Sequence, residues 1–364
     1  MRTDSHIKRV LMEKGAEGYK QTSYILNRLS HLPIEKAASD RAGQTPETLD
    51  MDKESVRLLS FKGEFLKPCP GTKEYICCGY QILNVGTNCP MDCSYCILQA
   101  YFNQPSLRFF VNMEDELERI GRIIDSHPEQ TFRIGTGEFT DSLALDHIAG
   151  WSDLLIPFFS RKRNAILELK TKTDNIQGLL SSKYRDRIII SWSLNSPDIT
   201  AREEHGAASI KKRLQAARRC QKEGYALGFH FDPLILHPNW KEGYQRTIEM
   251  IDRYVDSKGI VWISMGCLRY IPVLKPIIKR RHPGTHIMDG EFIDGLDGKK
   301  RYFKPIRMEI YSFMSDLIKK WQKDPSLYLC MESDEVWNKS LDWSPGSSEG
   351  LSLYLDRRVE EYFG

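Results

Sequence analysis

The stretch NCPMDCSYCILQ, residues 88–99, sets Cys89, Cys93 and Cys96 within eight positions of a chain whose other six cysteines are scattered. Thiolates spaced three and then two residues apart, with Pro90 and Asp92 in the loop, can hold three corners of a four-iron, four-sulfide cube and leave the fourth iron open to bind a substrate. A closed structural zinc site ordinarily shows four ligands, often as paired CxxC hooks, which this stretch lacks, although Cys77 and Cys78 remain available as a fourth ligand. Zinc and inert buried thiols are the alternatives. An odd total of nine cysteines argues against a disulfide framework.

Other residues of chemical interest are spread along the chain. In GTGEFTDS (135–142), Gly135, Thr136 and Gly137 permit close backbone approach, and Glu138 offers an acceptor for an ammonium group. The plain alternative is a glycine turn with a solvated glutamate. His230 and Asp232 in GFHFDP alternate with Phe229 and Phe231, so the two polar side chains share one strand face. They either contact a substrate or cofactor or form a hydrogen-bonded structural pair. Arg269 and Tyr270 are weaker candidates of the same kind. Cys77 and Cys78 form a redox or hydrogen-donor pair, or two buried thiols.

These residues need a scaffold, and the hydrophobic pattern supplies one. Short β-branched runs recur at 80–86, 165–171, 187–194 and 260–266, with similar runs at 131–137 and 226–232, and helical patterns such as MEDELERIGRIIDSH and KEGYQRTIEMIDRYV lie between them. Six alternations predict a parallel sheet in an α/β fold, a partial (β/α)6 barrel. The cysteine loop follows the first strand, at the edge where wound folds place their active sites.

The chain divides on this reading into a helical N-terminal extension (1–60), the barrel (61–270) and a basic C-terminal extension (271–364). The helical reading of the first part rests on IKRVLMEKGAEGYKQTSYILNRL, and the polar stretch at 35–55 is read as a connector. Hydrophobic content of 41% with 28% charged residues indicates a soluble globular protein. Without an apolar run of membrane-spanning length or an export signal, a cytoplasmic location and no membrane partner are expected. The formal charge of +3 excludes a case for nucleic acid from total charge alone. Two local runs, KPIIKRRHPG and DGKKRYFKPIR, interleave cations with aromatics as a backbone-binding surface would, but Asp289, Glu291, Asp294 and Asp297 lie between or at the edge of them.

CxxxCxxC with an aromatic before the last cysteine resembles the signature of the radical S-adenosylmethionine (radical SAM) superfamily. Within it the segments CSYCILQ, DSLALDHI, SWSLNS, GYALGFHFDPLILHPNWKEGY and LRY resemble the spore photoproduct lyase family. That resemblance implies a [4Fe-4S] cluster on Cys89, Cys93 and Cys96, with S-adenosylmethionine chelated at its open iron and cleaved reductively. The 5′-deoxyadenosyl radical then abstracts hydrogen from a substrate, a DNA lesion or other nucleic acid.

It further implies that Glu138 binds the cofactor's amino group, lined by Gly135, Thr136 and Gly137. Lys172, Ser193 and Asn195 hold its carboxylate and ribose, and Tyr95 packs near the adenine or relays hydrogen. A reductant such as flavodoxin or ferredoxin is the expected partner, and a hairpin in the second basic region reaches into DNA. Modification of a protein, peptide or metabolite by the same cofactor is the rival function. A non-catalytic iron-sulfur or zinc module is the rival from another class. One departure matters: the family's hydrogen-donor cysteine and relay tyrosine correspond to Glu138 and Ile97, so hydrogen return must use another donor, or the substrate must differ.

Overall fold

The computed structural model describes residues 6–38, 51–322 and 325–364. The connector read at 35–55 therefore lies mostly outside the described residues. The main sheet has eight strands: β1 (Leu66–Pro68), β2 (Gln81–Leu83), β3 (Phe132–Gly135), β4 (Ala165–Thr171), β5 (Ile188–Ser193), β6 (Ala226–Leu234), β7 (Ile260–Cys267) and β8 (Leu327–Leu329). They lie in simple sequence order across the sheet. β2 to β8 are parallel throughout, while β1 pairs antiparallel with β2 at one edge. The sheet curls into a half-barrel whose two edge strands, among the described residues, pair on one side only.

Each crossover between parallel strands carries a helix: α1 (Met113–Asp125), α2 (Trp151–Phe159), α3 (Gln177–Ser181), α4 (Ile210–Lys222), α5 (Trp240–Tyr254) and α6 (Lys304–Trp321). Burial explains the strand composition. Every residue of β5 and β7 is buried, as expected for strands covered on both faces. Removing each such Ile or Val from water contributes about 1.5–3 kcal/mol. α1 is strongly amphipathic, burying Leu117, Ile120 and Ile124 while carrying three acidic residues in its first turn, where they complement the helix dipole.

All six sequence-read strands are present. β8 joins them from beyond residue 270 by pairing with β7, so the half-barrel draws on the region read as an extension. The N-terminal region differs from the helical expectation. Among the described residues it holds one helix, Lys20–Arg28, and three strands, Arg9–Glu13, Ile34–Ala37 and Ser55–Leu59. These enter a second sheet with Leu107–Phe110 and Gly86–Thr87. The apolar positions around Val10 suit either period in so short a run, and pairing decides between them. Val10 sits between Ile34 and Val56 on parallel neighbours. Among the described residues, no helix is long and apolar enough to cross a membrane.

Candidate active site

The C-terminal ends of the parallel strands open onto a cavity of about 440 Å³ that Cys89, Cys93 and Cys96 all line. The cysteine loop is built from both sheets. Asn88 adopts a left-handed conformation (φ 69°), which asparagine tolerates. It donates through Nδ2 to the carbonyls of Gln104 and Ser106 at 2.8 and 2.7 Å. Asp92 and Cys93 pair antiparallel with His205 and Glu204. Asp92 is clamped by Lys53 Nζ and Arg281 Nη2, each at 2.8 Å. Gln99 then ties the loop's own carbonyls together, donating to Ser94 O at 2.8 Å.

Burial pushes the Cys93 thiol up to about 12 and the Cys89 thiol well above its ordinary value. Without a metal both are neutral thiols, and loading one would release protons. Among the described residues no three His, Cys, Asp or Glu side chains stand close enough to hold a single ion. Three cysteines around one cavity match a larger, multi-iron group.

Beside the loop lies a buried polar network. Tyr95 donates its hydroxyl to Glu204, and Lys172 Nζ contacts both the Tyr95 oxygen and Glu204 Oε1, the latter at 2.8 Å. Arg213 closes on the other carboxylate oxygen at 2.5 Å, with both side chains fully buried. Burial opposes the Glu204 charge, yet Arg213 and Lys172 hold it well below the usual carboxylate range. The same Lys172 ammonium lies 4.8 Å from the centre of the Tyr95 ring. Asp141 organises the turn after β3: its carboxylate accepts from the Leu143, Ala144 and Lys172 N–H groups and from the Thr171 hydroxyl, at 2.6–3.0 Å.

Farther along the strand ends the polar groups differ. Glu138 accepts from Lys170 Nζ through one carboxylate oxygen. Gly137 makes the pair possible, because a Cβ there would come within 2.8 Å of Lys170 Cβ. Gly135 is equally constrained, since its Cβ would collide with the Tyr80 hydroxyl. Asp232 and Arg269 form a bidentate pair at 3.1 and 2.9 Å. Glu168 accepts from His230 Nε2 at 2.8 Å, from Trp262 Nε1 at 2.9 Å and from the Ser191 hydroxyl. Burial alone would raise it, but these donors leave it at about 2.

The sequence candidates divide accordingly. Tyr95, Gly137, Glu138, Lys172, Ser193, His230, Asp232, Arg269 and Tyr270 line the cavity with the three clustered cysteines and Cys78. Gly135, Thr136, Asn195 and Cys77 do not. Thr136 turns its hydroxyl to Ser142 at 2.7 Å. Asn195 is buried beneath the strand end, donating to Pro233 O and accepting from the Tyr244 hydroxyl. The Cys77 sulfur contacts the backbone of Thr72. Both His230 nitrogens are engaged, Nε2 by Glu168 and Nδ1 by Ser264 at 2.6 Å, while Asp232 pairs with Arg269, so the two polar groups of the strand face take separate partners.

Sequence reasoning missed Glu168 and Lys170, although AILELKTK places Glu168, Lys170 and Lys172 at alternate positions and therefore on one face. It also set aside Cys69 and Cys330, which line the cavity beside Cys78. Cys78 acts electrostatically on Cys69 and on Cys330, and Cys69 on Cys330, whereas Cys96 acts on Cys89 and Cys93. The thiols thus fall into two neighbourhoods of one cavity.

The family model for spore photoproduct lyase matches residues 75–316. Spore photoproduct lyase of a Geobacillus species is 27% identical over 60% of this chain and 63% of its own length. The Bacillus subtilis enzyme is 26% identical over 60% and 63%, and that of Clostridium acetobutylicum 23% identical over 79% and 86%. The chain thus spans just under two thirds of the first two relatives. Among solved structures, a spore photoproduct lyase variant with dinucleoside spore photoproduct superposes with a TM-score of 0.77 at 22% identity, covering 89% of this chain and 98% of that one. Another variant, with bound AdoMet and the same dinucleoside, gives 0.76 at 20% identity, covering 90% and 99%.

Proposed function

Because the chain belongs to the spore photoproduct lyase family, we propose that it is a radical SAM enzyme acting on a covalently joined pair of pyrimidines in nucleic acid. The observation that carries this reading is the opening of Cys89, Cys93 and Cys96 onto one cavity at the strand ends. When bound, a [4Fe-4S] cluster and S-adenosylmethionine would supply one-electron cleavage of a carbon-sulfur bond and the hydrogen-abstracting radical. The three cysteines would hold the cluster, with Lys53 and Arg281 fixing the loop through Asp92.

Lys172 and Ser193, both lining the cavity at adjacent strand ends, are the groups to receive the cofactor's carboxylate and ribose. Glu204 orients Lys172 and Tyr95 by accepting from both. With Glu138 and Ile97 where the family has its donor cysteine and relay tyrosine, hydrogen return falls to Cys78, whose S–H gives up a hydrogen atom and whose thiyl is restored by one electron from the reductant and one proton. Burial raises its pKa, keeping the S–H bond that a hydrogen-atom donor requires. The hairpin Phe292–Asp294 and Lys300–Tyr302, extended by Arg269–Tyr270, is the surface for the surrounding strand. An electron donor of the flavodoxin or ferredoxin kind completes the scheme.

The test is anaerobic incubation of the reduced, iron-loaded protein with S-adenosylmethionine and dinucleoside spore photoproduct. Formation of 5′-deoxyadenosine together with thymidine is expected. Neither product from a protein carrying a full cluster would refute the reading.

A further inference from the structure

We infer that the Glu138–Lys170 pair is a substrate-reading site that takes the adjacent C=O and N–H groups of a pyrimidine imide edge. This rests on the proposed pyrimidine substrate and assigns the groups that recognise it. Both side chains line the cavity and are partly accessible, at 30% for Glu138 and 21% for Lys170. Glu138 uses Oε1 toward Lys170, and Lys170 Nζ uses one of its hydrogens toward Glu138. Among the described residues neither Oε2 nor the other ammonium hydrogens have a partner, so the pair offers one acceptor beside a donor. An imide edge is its complement: N–H to the carboxylate, C=O to the ammonium.

Charge separates this ligand from singly charged alternatives. Glu138 and Lys170 sum to zero, as do Asp232 and Arg269 nearby. A cationic ammonium or sulfonium would face the Lys170 charge, and a phosphate would face Glu138. A neutral heterocycle meets neither penalty. Position agrees. Glu138 and Lys170 both act electrostatically on Cys69, in the neighbourhood of Cys78, whereas Lys172 acts on Cys93 at the cluster loop. The edge would therefore be read beside the thiols proposed to return hydrogen. Phe139, which follows Glu138, is buried against Tyr80 and Leu98 and gives the site an apolar wall.

The experiment measures dissociation constants on the full, iron-loaded chain with S-adenosylhomocysteine present, for dinucleoside spore photoproduct and its N3-methylated derivatives, by equilibrium dialysis. Glu138→Gln and Lys170→Met should each weaken the dinucleoside by about 10- to 100-fold, the usual effect of losing a charge-assisted hydrogen bond. Methylation at the read N3 should cost wild type at least about tenfold and cost Glu138→Gln less, because both changes weaken the same contact. Affinity for S-adenosylmethionine should change by less than about threefold in either variant, within the modulation expected of a pair that does not contact it.

Equal binding of methylated and unmethylated dinucleosides by wild type would overturn the inference. So would no dinucleoside binding at all, or a loss confined to S-adenosylmethionine. Release of 5′-deoxyadenosine by the same preparations tests the underlying radical SAM reading separately, so failure of one is distinguishable from failure of the other.

Discussion

Single residues in this protein carry opposed electrostatic tasks within one cavity. Glu168 has its charge preserved by His230, Trp262 and Ser191, and it is held at about 2 against an ordinary value of 4.5. A carboxylate depressed on folding contributes stability above its unfolded value and loses it as pH falls through the folded one. The window is therefore pH 4.5 down to about 2. Glu168→Gln should flatten acid unfolding across that window, measured by circular dichroism against urea at several pH values. An unchanged slope would mean that the charge is not conserved on folding.

Cys78 has the opposite requirement, since only a protonated thiol can return a hydrogen atom. Cys78→Ala should lower thymine restored per 5′-deoxyadenosine formed by at least about tenfold, as expected for loss of a group used in one chemical step. An unchanged ratio would place the donor elsewhere. The three cluster cysteines were legible because their spacing is local. The thiols Cys69 and Cys330 were not, because 261 positions separate them in the chain and only the sheet brings them to one cavity.

At the scale of elements, the six strands from β2 to β7 were readable because each buried run is bounded by a helical pattern of different period. β8 escaped notice: it has three residues, LYL, too few to show a period. The N-terminal strands were read as helix for a related reason, with Ser55–Leu59 gaining its identity only by lying between Arg9–Glu13 and Leu107–Phe110. The same distant pairing explains how the cysteine loop is held. Lys53 precedes a strand of the N-terminal sheet, Arg281 ends the helix Leu274–Arg281, and both converge on Asp92. Asp92→Ala should make the bound cluster about 10- to 100-fold easier to remove, the usual effect of losing an outer-shell contact to a metal site. The half-time of iron transfer to a chelator under argon measures this, and an unaltered half-time would show that the clamp does not support the loop.

Viewed as a whole molecule, the surface is less basic than its two cationic runs imply. Of nine Lys and Arg in 275–284 and 297–307, at least six stand within ion-pair distance of a carboxylate. Arg301 is almost fully buried against Asp297 and Tyr75. Few cations therefore remain for phosphates. Duplex affinity should fall with log salt at a slope no steeper than about −3, corresponding to roughly three phosphate contacts. A slope near −8 in fluorescence anisotropy would show that the intramolecular pairs open on binding.

The central claim is that three cysteines at the strand ends make this chain a radical SAM enzyme. It is tested most directly by quantifying 5′-deoxyadenosine released from S-adenosylmethionine by the dithionite-reduced, iron-loaded protein, beside a variant with alanine at Cys89, Cys93 and Cys96. Release by wild type, raised when dinucleoside spore photoproduct is added and absent from the variant, is the expected result. Equal release by both proteins, or none from wild type holding four irons per chain, would contradict it.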